Sequence, residues 1–380
     1  MTSYNTGCST NEIHSNGQTS KRKGALRNDD NETTTKGDNG VASIEHVPSI
    51  IELKNALPEH CFKSSLLQSL FYVGKDCAMI AALVLVMSYI ERTTFIIYLL
   101  SLPFYWFLTG TLFWSLFVLG HDCGHSSFSK YTLVNDVLGN ILHTFILVPY
   151  YPWKLSHHHH HKNTCNIDKE EVFYPVRDKD RKDKKFKVMP LFGFGLSWIV
   201  YLFNGFSPRN LSHFNPFEDM FIKHLFQCII SLACLCIWIG CLAVYGFYFG
   251  YISILTYYAV PCFVFMSWLV IVTFLHHHDV NVPWFADAKW SNVIGQLSTV
   301  DRHYGWAHAL THNIGTHQVH HLFSKIPHYR LEEATKVFRE KYPHLVRKSN
   351  EPIMTSFQRM FYVWYSQRFI KDDVNVHVYK

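Results

Sequence analysis

Histidine is the residue type whose number and spacing most clearly indicate chemistry in this chain. The 380 residues include 25 histidines, nearly as many as all aspartates and glutamates together, which number 29. Eight histidines form three groups: His121 and His125; His157, His160 and His161; and His317, His320 and His321. Their spacing is i, i+4 or i, i+3, i+4, which places the imidazoles of a group on one face of a helix. Each group can therefore present several ring nitrogens to one metal ion.

The number and type of these candidate ligands restrict the kind of metal site. Eight imidazoles exceed the four ligands of a structural zinc site and indicate two metal ions. Ligation by nitrogen alone suits zinc, copper, iron or nickel. The HExxH motif of metalloproteases is absent, and few carboxylates lie near the groups, unlike the di-iron sites of helical bundles. The sequence thus predicts a histidine-based two-metal site and leaves the metal open.

Composition indicates that membrane helices carry these groups. Hydrophobic residues make up 48% of the chain and charged residues 17%, below the roughly 25% that is typical of soluble proteins. From Cys77 to Gly120 the only charged residues are Glu91 and Arg92, and from Leu225 to Leu275 there is none. Because a helix needs about 20 residues to cross a bilayer, each stretch holds two spans. We predict spans at about 77–96, 99–120, 225–245 and 252–275, arranged as two hairpins.

Two shorter apolar segments differ from these spans. Residues Leu138 to Trp153 are too few for a crossing and include His143, so we predict an interfacial or re-entrant segment. Residues Val188 to Phe206 are aromatic-rich and interrupted by glycines, and we predict that they lie at the membrane interface. The predicted turns of the two hairpins are Glu91–Arg92 and Gly246–Tyr251.

Basic residues predict the orientation of the spans. The segment Arg177 to Lys187 contains seven Lys or Arg against three Asp, so the positive-inside rule places it and both Lys/Arg-rich termini in the cytoplasm. Four crossings return the three histidine groups to that same face. The predicted fold is therefore an all-α integral membrane protein with four transmembrane helices and a cytoplasmic histidine-rich di-metal catalytic cap. We divide it into a disordered cytoplasmic N-terminal arm (1–46), a membrane domain (47–345) and a cytoplasmic C-terminal tail (346–380).

Composition also excludes other classes of protein. The ten cysteines show no paired spacing, which excludes a secreted disulfide scaffold and a CxxC zinc domain. The net charge of +6 lies mostly outside the apolar stretches and favours a membrane surface over nucleic acid as a partner. A histidine-rich metal transporter is a non-enzymatic alternative. It predicts ionisable residues within the spans, and Leu225 to Leu275 contains no His, Asp or Glu.

The connecting sequence around the histidine groups resembles the membrane-bound fatty acyl desaturases, and among them the methyl-end group that contains ω3 and Δ12 enzymes. The resemblance runs from about Pro58 to Thr335, and it includes PEHCF at Pro58–Phe62, GHDCGHSSFS at Gly120–Ser129, TFLHHH at Thr273–His278 and HNIGTHQVHHLFSKIPHYRLEEAT at His312–Thr335. Three ordered histidine boxes in this context make a specific match.

The resemblance implies a centre of two non-haem irons that uses O2 to remove two hydrogens from an acyl chain. The ligands it implies are the eight histidines of the three groups and His277, which this superfamily supplies from the end of its fourth span; His312 is a further candidate. The resemblance does not extend ligation to His158, His159, His276 or His278. Asp122 follows the first of these ligands, where its side chain either orients an imidazole through the second ring nitrogen or lies on the helix surface.

The family also implies the substrate, the electron donor and the cellular location. The expected substrate is an acyl lipid or acyl-CoA, and electrons are expected from a separate cytochrome b5 and its reductase. The expected location is the endoplasmic reticulum membrane, as a multi-pass protein. HHHDVNVPWF and HNIGTHQVHHLF look more like ω3 than Δ12 enzymes, so we favour ω3 desaturation of linoleate-type ω6 chains. The alternatives are a Δ12 desaturase, which converts oleate to linoleate, and a hydroxylase or acetylenase on the same scaffold.

Two further expectations concern Ser126 and the adjacent pair Asp301 and Arg302. Ser126 follows the first box where many relatives have glycine, and we expect serine to be tolerated there if the backbone is helical. Asp301 and Arg302, in STVDRHYG, are expected to form an ion pair or another polar contact near the site.

Overall fold

The computed structural model describes residues 47–181 and 192–380. The predicted N-terminal arm, 1–46, lies outside the described residues, as does most of the basic segment that ends at Lys187. The α-helices of the described residues are α1 (Ile50–Ala56), α2 (Leu66–Ile90), α3 (Phe95–His125), α4 (Thr132–Phe145), α5 (Tyr150–Asn163), α6 (Ser197–Asn204), α7 (Leu225–Phe249), α8 (Tyr251–Ile254), α9 (Val260–His277), α10 (Asn292–Leu297), α11 (Ala307–Leu310), α12 (His317–Leu322), α13 (His328–Lys341) and α14 (Ile353–Gln367). The short strands are β1 (Val176–Arg177), β2 (Gly205–Phe206), β3 (Arg209–Asn210), β4 (Pro283–Phe285), β5 (Asp301–Arg302), β6 (Lys348–Ser349), β7 (Phe369–Ile370) and β8 (Val376–Val378).

Within residues 47–181 and 192–380, four single helical segments are long and apolar enough to cross a membrane, which agrees with the predicted number. They are Leu66–Ile90, Phe95–His125, Ile222–Phe249 and Tyr251–His277. The first two are α2 and α3. The third is α7 with one preceding turn, and the fourth runs from α8 through a wider π-helical turn, Leu255–Ala259, into α9.

The first helix begins and ends earlier than the predicted span at 77–96. Ser65 caps α2, because its hydroxyl accepts a hydrogen bond from the N–H of Gln68 at 3.4 Å. Asp76 does not end the helix, since it is buried and lies 2.7 Å from His312. The chain turns after Ile90, at Glu91 and Arg92.

The second helix extends past the predicted end at 120, so that the first histidine box is part of α3 itself. Ser126 terminates α3 in the left-handed region, with φ of +58°. The backbone at Ser126 is therefore not helical, and the condition under which we expect serine to be tolerated is not met. A left-handed residue at this position is the usual end of a helix, and glycine adopts it without steric cost.

The third and fourth spans are separated by a tight turn within the predicted segment Gly246–Tyr251. Gly250 has φ of +88°, a conformation that glycine adopts without steric cost. A Cβ at Gly246 would lie 2.6 Å from the ring of Tyr251. The small residue thus allows the two segments to approach where the chain reverses.

Helices α4 and α5 form a bent pair between the two long pairs. Their axes meet at 105° across a short break, the geometry of a broken span or a re-entrant loop. The pair contains the predicted interfacial or re-entrant segment Leu138–Trp153, and α5 carries the second histidine box. Farther along the chain, Gly193–Asn204 is a shorter apolar helical segment, kinked at Phe194 and Gly195; the beginning of the predicted interfacial segment Val188–Phe206 lies outside the described residues.

Close packing of α3 against α9 sets the distance between the first histidine box and the end of the fourth span. A Cβ at Gly110 would lie 2.5 Å from Cβ of Val264 and 2.7 Å from the backbone oxygen of Pro261. Only glycine permits this approach, because neither of these atoms can move aside as the tip of a flexible side chain would. The close packing of α3 against α9 therefore sets the distance between His125 and His277, the last residues of these two helices.

Replacing Gly110 by leucine is expected to separate α3 from α9. Overpacking of this kind costs about 1–3 kcal/mol or more, so the yield of folded, detergent-extracted protein and its unfolding temperature should both fall. Gly240→Leu on α7 is the matched control, since nothing lies within 4 Å of a Cβ there. Equal behaviour of the two variants in thermal unfolding would mean that this crossing does not support the fold.

The C-terminal residues, predicted as a separate tail at 346–380, pack into the same folded unit as the preceding residues. Strand β6 pairs with β5, β7 pairs with β1 and β8 pairs with β4. Tyr379, next to the last residue, is fully buried, and its ring lies 5.4 Å from that of His278. The last strands therefore help to hold the region that follows the fourth span.

Candidate metal centre

Four helices bring the predicted histidines together: the end of α3, α5, the end of α9 and α12. One group has ligand atoms within 4.8 Å of one another and consists of His121, His125, His157, His161 and His320. A second group meets the same distance limit and consists of His160, His277 and His321. Helices α5 and α12 each contribute to both groups. The spacing in the sequence predicts contacts within a box, whereas the structure divides the second and third boxes between two neighbouring sites.

His317 adjoins the second group. Nε2 of His277 lies 3.1 Å from Nε2 of His160 and 3.3 Å from Nε2 of His317. At metal–nitrogen distances of about 2.1 Å, ligands at right angles to each other lie about 3 Å apart. The nine predicted histidines therefore fall into a set of five and a set of four.

Many ring nitrogens in these two sets are buried and have no hydrogen-bond partner. They are His121 Nδ1, His125 Nε2, His157 Nε2, both nitrogens of His161, His277 Nδ1, His317 Nδ1, His320 Nε2 and His321 Nε2. An unpaired buried polar atom costs about 1–3 kcal/mol, and a bound metal ion would remove that cost for the atoms it contacts. The donor set therefore fits metal ions with a preference for imidazole.

The third box is held in the neutral, ligand-competent form. Burial lowers the pKa of His317, His320 and His321 well below the usual 6.5, and neighbouring histidines lower it further. A neutral imidazole keeps one lone pair free for a metal ion, whereas an imidazolium has none. The three side chains can therefore bind metal at neutral pH without first losing a proton.

Glu170 fixes the ring of His160. Nδ1–H of His160 donates to Oε2 of Glu170 at 2.8 Å, and the carboxylate is fully buried. Its other oxygen accepts from the backbone N–H groups of Glu171 at 2.8 Å and Val172 at 3.2 Å. This arrangement assigns the proton to Nδ1 and leaves Nε2 of His160 facing His277. Carboxylates commonly hold metal-binding histidines in this way, and the sequence offered no spacing rule that identifies Glu170.

Gln296 connects the second and third boxes. Its Oε1 lies 2.9 Å from Nδ1 of His321, and its amide nitrogen donates to the backbone oxygen of His161. The hydroxyl of Thr164 lies 3.1 Å from the same ring nitrogen of His321. Two polar side chains thus orient the imidazole of His321 from the side opposite its unpaired Nε2.

Asp301 and Arg302 bind different partners at the ends of two ligand-bearing helices. Oδ1 of Asp301 accepts from the N–H of Gln318 at 2.8 Å, in the first turn of α12. Nε of Arg302 donates to the backbone oxygen of Leu275 at 2.9 Å, in the last turn of α9. Helix ends leave such backbone groups without partners, so the two neighbours hold the third box and His277 in place.

The other histidines of these boxes use their nitrogens elsewhere. His158 and His159 each donate to a backbone carbonyl oxygen, at 2.9 Å and 3.0 Å. His276 donates to a carbonyl at 2.6 Å and accepts from a tyrosine hydroxyl at 2.8 Å. Both nitrogens of His278 lie 3.1 Å from backbone oxygens. Of the three consecutive histidines after the fourth span's apolar run, only His277 joins a group.

His312 and Asp122 belong to a buried polar chain beside the centre. Nε2 of His312 lies 2.7 Å from Oδ2 of Asp76, and its ring lies 4.5 Å from that of His328. Nδ1 of His328 donates to Oδ2 of Asp122 at 2.9 Å, while Oδ1 of Asp122 lies 3.8 Å from Nδ1 of His121. The structure therefore places His312 outside both groups of clustered histidines. Asp122 lies beside a predicted ligand, but its hydrogen bond goes to His328.

A narrow, mostly apolar cavity reaches the clustered histidines. Its walls include Trp114, Phe117, Trp198, Leu269 and Val270, and five of the nine histidines line it as well: His121, His157, His160, His277 and His317. A cavity of this composition fits a hydrocarbon chain and offers it few polar contacts. The arrangement can thus hold an alkyl chain directly against the clustered histidines.

Comparisons with known proteins agree on one family. The family model of fatty acid desaturases matches residues 99–350. The chain is 41% identical over 308 residues to an sn-1 acyl-lipid omega-3 desaturase (ferredoxin) of Nostoc sp. (strain 36), which covers 80% of this chain and 84% of that relative.

Two plant proteins show similar identity. The chain is 38% identical over 314 residues to an endoplasmic reticulum omega-3 fatty acid desaturase of Nicotiana tabacum, with 80% of this chain and 79% of that relative covered. It is 39% identical over 296 residues to an acyl-lipid omega-3 desaturase (cytochrome b5) of the Arabidopsis thaliana endoplasmic reticulum, with 75% and 74% covered.

Proposed function

The chain belongs to the fatty acid desaturase family, and we propose that it is an omega-3 desaturase. It is an oxidoreductase, and in this proposal it inserts a cis double bond three carbons from the methyl end of an ω6 acyl chain such as linoleate. The observation that carries the proposal is the apolar cavity that meets five of the nine clustered histidines. The omega-3 desaturases among its relatives support the regiochemistry.

We infer that the nine clustered histidines hold two non-haem irons, five ligands at one and four at the other. When bound, the irons supply the activation of O2 and the oxidising power that removes two hydrogens from the acyl chain. The protein's own contribution is to present neutral imidazoles in a fixed arrangement. Glu170 keeps the proton of His160 on Nδ1, and Gln296 and Thr164 orient His321. Asp122 acts on the centre only through its position beside His121 and its bond to His328.

The cavity determines which carbons react. A strong oxidant attacks any C–H bond within reach, so selectivity depends on how the chain is positioned. Bulky walls such as Trp114, Phe117 and Trp198 restrict the paths that an acyl chain can take. They also keep water away from the histidines, which protects the reacting carbons from side reactions.

Electrons for the reaction come, in this proposal, from a separate cytochrome b5 and its reductase. The Arabidopsis relative carries cytochrome b5 in its name, whereas the Nostoc relative carries ferredoxin. Two relatives are named as endoplasmic reticulum proteins, and we place this chain in the same membrane with an acyl lipid or acyl-CoA as substrate. The alternative of a metal transporter finds no support, because the family consists of enzymes.

We further propose that the four candidate spans form two hairpins with both termini in the cytoplasm. The ends of α3 and α9 both carry clustered histidines, so these two ends lie on one face. Two hairpins satisfy this condition, because each hairpin returns the chain to the face from which it started. The segments before α2 and after α9 then lie on the same side as the clustered histidines. Residues 47–345 would then form the membrane domain together with the packed residues 346–380.

Expression in a yeast that makes no polyunsaturated fatty acids tests the proposed activity. We expect cells fed with linoleate to gain an acyl chain with a new double bond three carbons from the methyl end, located by gas chromatography–mass spectrometry. Cells carrying the empty vector are the control. Linoleate formed from the host's own oleate, without an ω3 product, would reassign the enzyme to Δ12 desaturation. Hydroxylated or triple-bonded products would overturn the proposed reaction type.

A further inference from the structure

A further cluster of side chains of the types that bind metals lies outside the histidine centre, where the short 3-10 turn Glu59–Phe62 packs against α13. The ligand atoms of His60, Cys61 and Glu333 lie within 4.8 Å of one another. Cys61 is fully buried, whereas about half of the His60 and Glu333 side chains is exposed. The cluster therefore has a thiol at its base and an imidazole and a carboxylate at its opening.

Local packing holds the thiol in place. The N–H of Cys61 donates to the backbone oxygen of Pro58 at 3.0 Å, which closes the turn. Cys61 belongs to a buried apolar cluster that also contains Leu53, Leu57 and Phe338 of α13. It forms no disulfide. A rigid turn and a helix thus present three different ligand types from fixed positions.

The combination of ligands selects the class of metal. Sulfur, imidazole nitrogen and carboxylate oxygen are the three donor types that bind zinc in proteins. Calcium and magnesium require oxygen ligands and are disfavoured by a thiol. Three protein ligands leave a fourth tetrahedral position for water, and the exposed side of the cluster admits it.

We propose that His60, Cys61 and Glu333 bind one zinc ion, with water as the fourth ligand. Nε2 of His60 already lies 2.7 Å from Oε1 of Glu333, so the ion would replace the proton between these two atoms. Arg330 lies 3.4 Å from the other oxygen of Glu333 and leaves Oε1 available. Zinc binding would also displace the proton of the Cys61 thiol, as thiol ligation requires.

The proposed ion would stabilise the position of the third histidine box without contacting its histidines. The apolar cluster that contains Cys61 also contains Val319 and Leu322 of α12, whose neighbours are His320 and His321. A zinc ion would tie the segment that precedes α2 to α13 across this cluster. It would therefore reduce movement of α12 without contacting the substrate or the histidine centre.

Cobalt substitution in the full-length, iron-loaded protein tests the site. A thiolate bound to cobalt(II) gives a strong near-ultraviolet charge-transfer band, which the histidine centre cannot produce because it contains no sulfur ligand. After bound zinc has been removed and the iron restored, we expect one equivalent of cobalt to generate this band and one equivalent of zinc to abolish it. The purified protein should also contain one zinc per chain in addition to its iron.

Matched variants separate this site from nonspecific binding. Cys61→Ser should lose both the band and the zinc, whereas Cys228→Ser, at another buried cysteine, should keep both. Glu333→Gln should weaken cobalt binding, and Glu332→Gln should not, because Glu332 lies beside His308 instead. A band that persists in Cys61→Ser, or none in the native protein, would overturn the proposal. Iron content is measured separately, so that loss of iron from the histidine centre can be distinguished from loss of the proposed zinc site.

Discussion

Replacing His160 by alanine is expected to abolish double-bond formation. His160 belongs to the set of four histidines, and its Nε2 lies 3.1 Å from that of His277. Its removal takes away one proposed ligand and leaves the buried carboxylate of Glu170 without its partner. The measurement is the fatty acid product in yeast fed with linoleate, together with the iron content of the purified variant. We expect no product and less iron, with unchanged membrane insertion.

His159→Ala is the matched control for this substitution. His159 is the next residue on the same helix, but its ring is partly exposed and donates to the backbone oxygen of Lys169. The control variant should therefore retain most of its activity and its iron. Full activity in His160→Ala would remove His160 from the ligand set, and equal loss in both variants would point to damage to α5.

Replacing Glu170 by glutamine is expected to reduce iron affinity and activity about 10–100-fold, the usual effect of changing a partner of a metal ligand. Glutamine keeps the size of the side chain and one oxygen for the backbone N–H groups of Glu171 and Val172. The NH2 group of its amide would then face Nδ1 of His160. Because this group donates a hydrogen bond, it favours the His160 tautomer whose proton lies on Nε2. The readouts are iron retention during dialysis and product formation.

Glu171→Gln provides the comparison for Glu170. Burial, followed by the neighbouring Glu170 carboxylate, raises the pKa of Glu171 to about 8. Below that pH its carboxyl group is mostly protonated in the folded protein, so a neutral amide changes its charge little. We expect near-normal iron retention in Glu171→Gln at pH 7. Similar losses in the two variants would mean that the effect of Glu170 arises from general packing.

The sequence was most informative where the spacing of the residues follows the helical repeat. The i, i+4 spacing of His121 and His125 predicted two side chains that meet in one group. The HxxHH pattern ending at His321 marked candidate ligands, but the structure places His320 and His321 in two neighbouring groups. The charge-free stretches predicted four membrane-length helices. The resemblance to desaturases is likewise confirmed by the comparisons.

Residues whose role depends on contacts across the chain could not be predicted in the same way. Glu170 meets His160 because the chain folds back after α5, and Gln296 of α10 meets His321 of α12, which lies 25 residues farther along the chain. Asp301 and Arg302 are adjacent in sequence, yet each stabilises a different helix end. His312 lies close to the third box in sequence, but a buried aspartate on α2, Asp76, holds it away from both groups.

The helix boundaries differ from the predicted spans for a related reason. A charged residue normally marks the end of a membrane span, so Asp76 suggested that the first span begins at 77. In the folded protein His312, from a distant segment, lies 2.7 Å from Oδ2 of that carboxylate, and the helix continues through Asp76. At Ser126 the helix has to end so that the chain can turn toward α4, and a left-handed residue makes that turn.

The metal content of the purified, active enzyme tests the central claim most directly. Nine clustered histidines in sets of five and four predict two irons per chain, measured by elemental analysis against protein concentration and matched by desaturase activity in the same preparation. Activity should rise with iron occupancy and reach its maximum at two. Full activity with a single iron, or with a different metal in its place, would contradict the account.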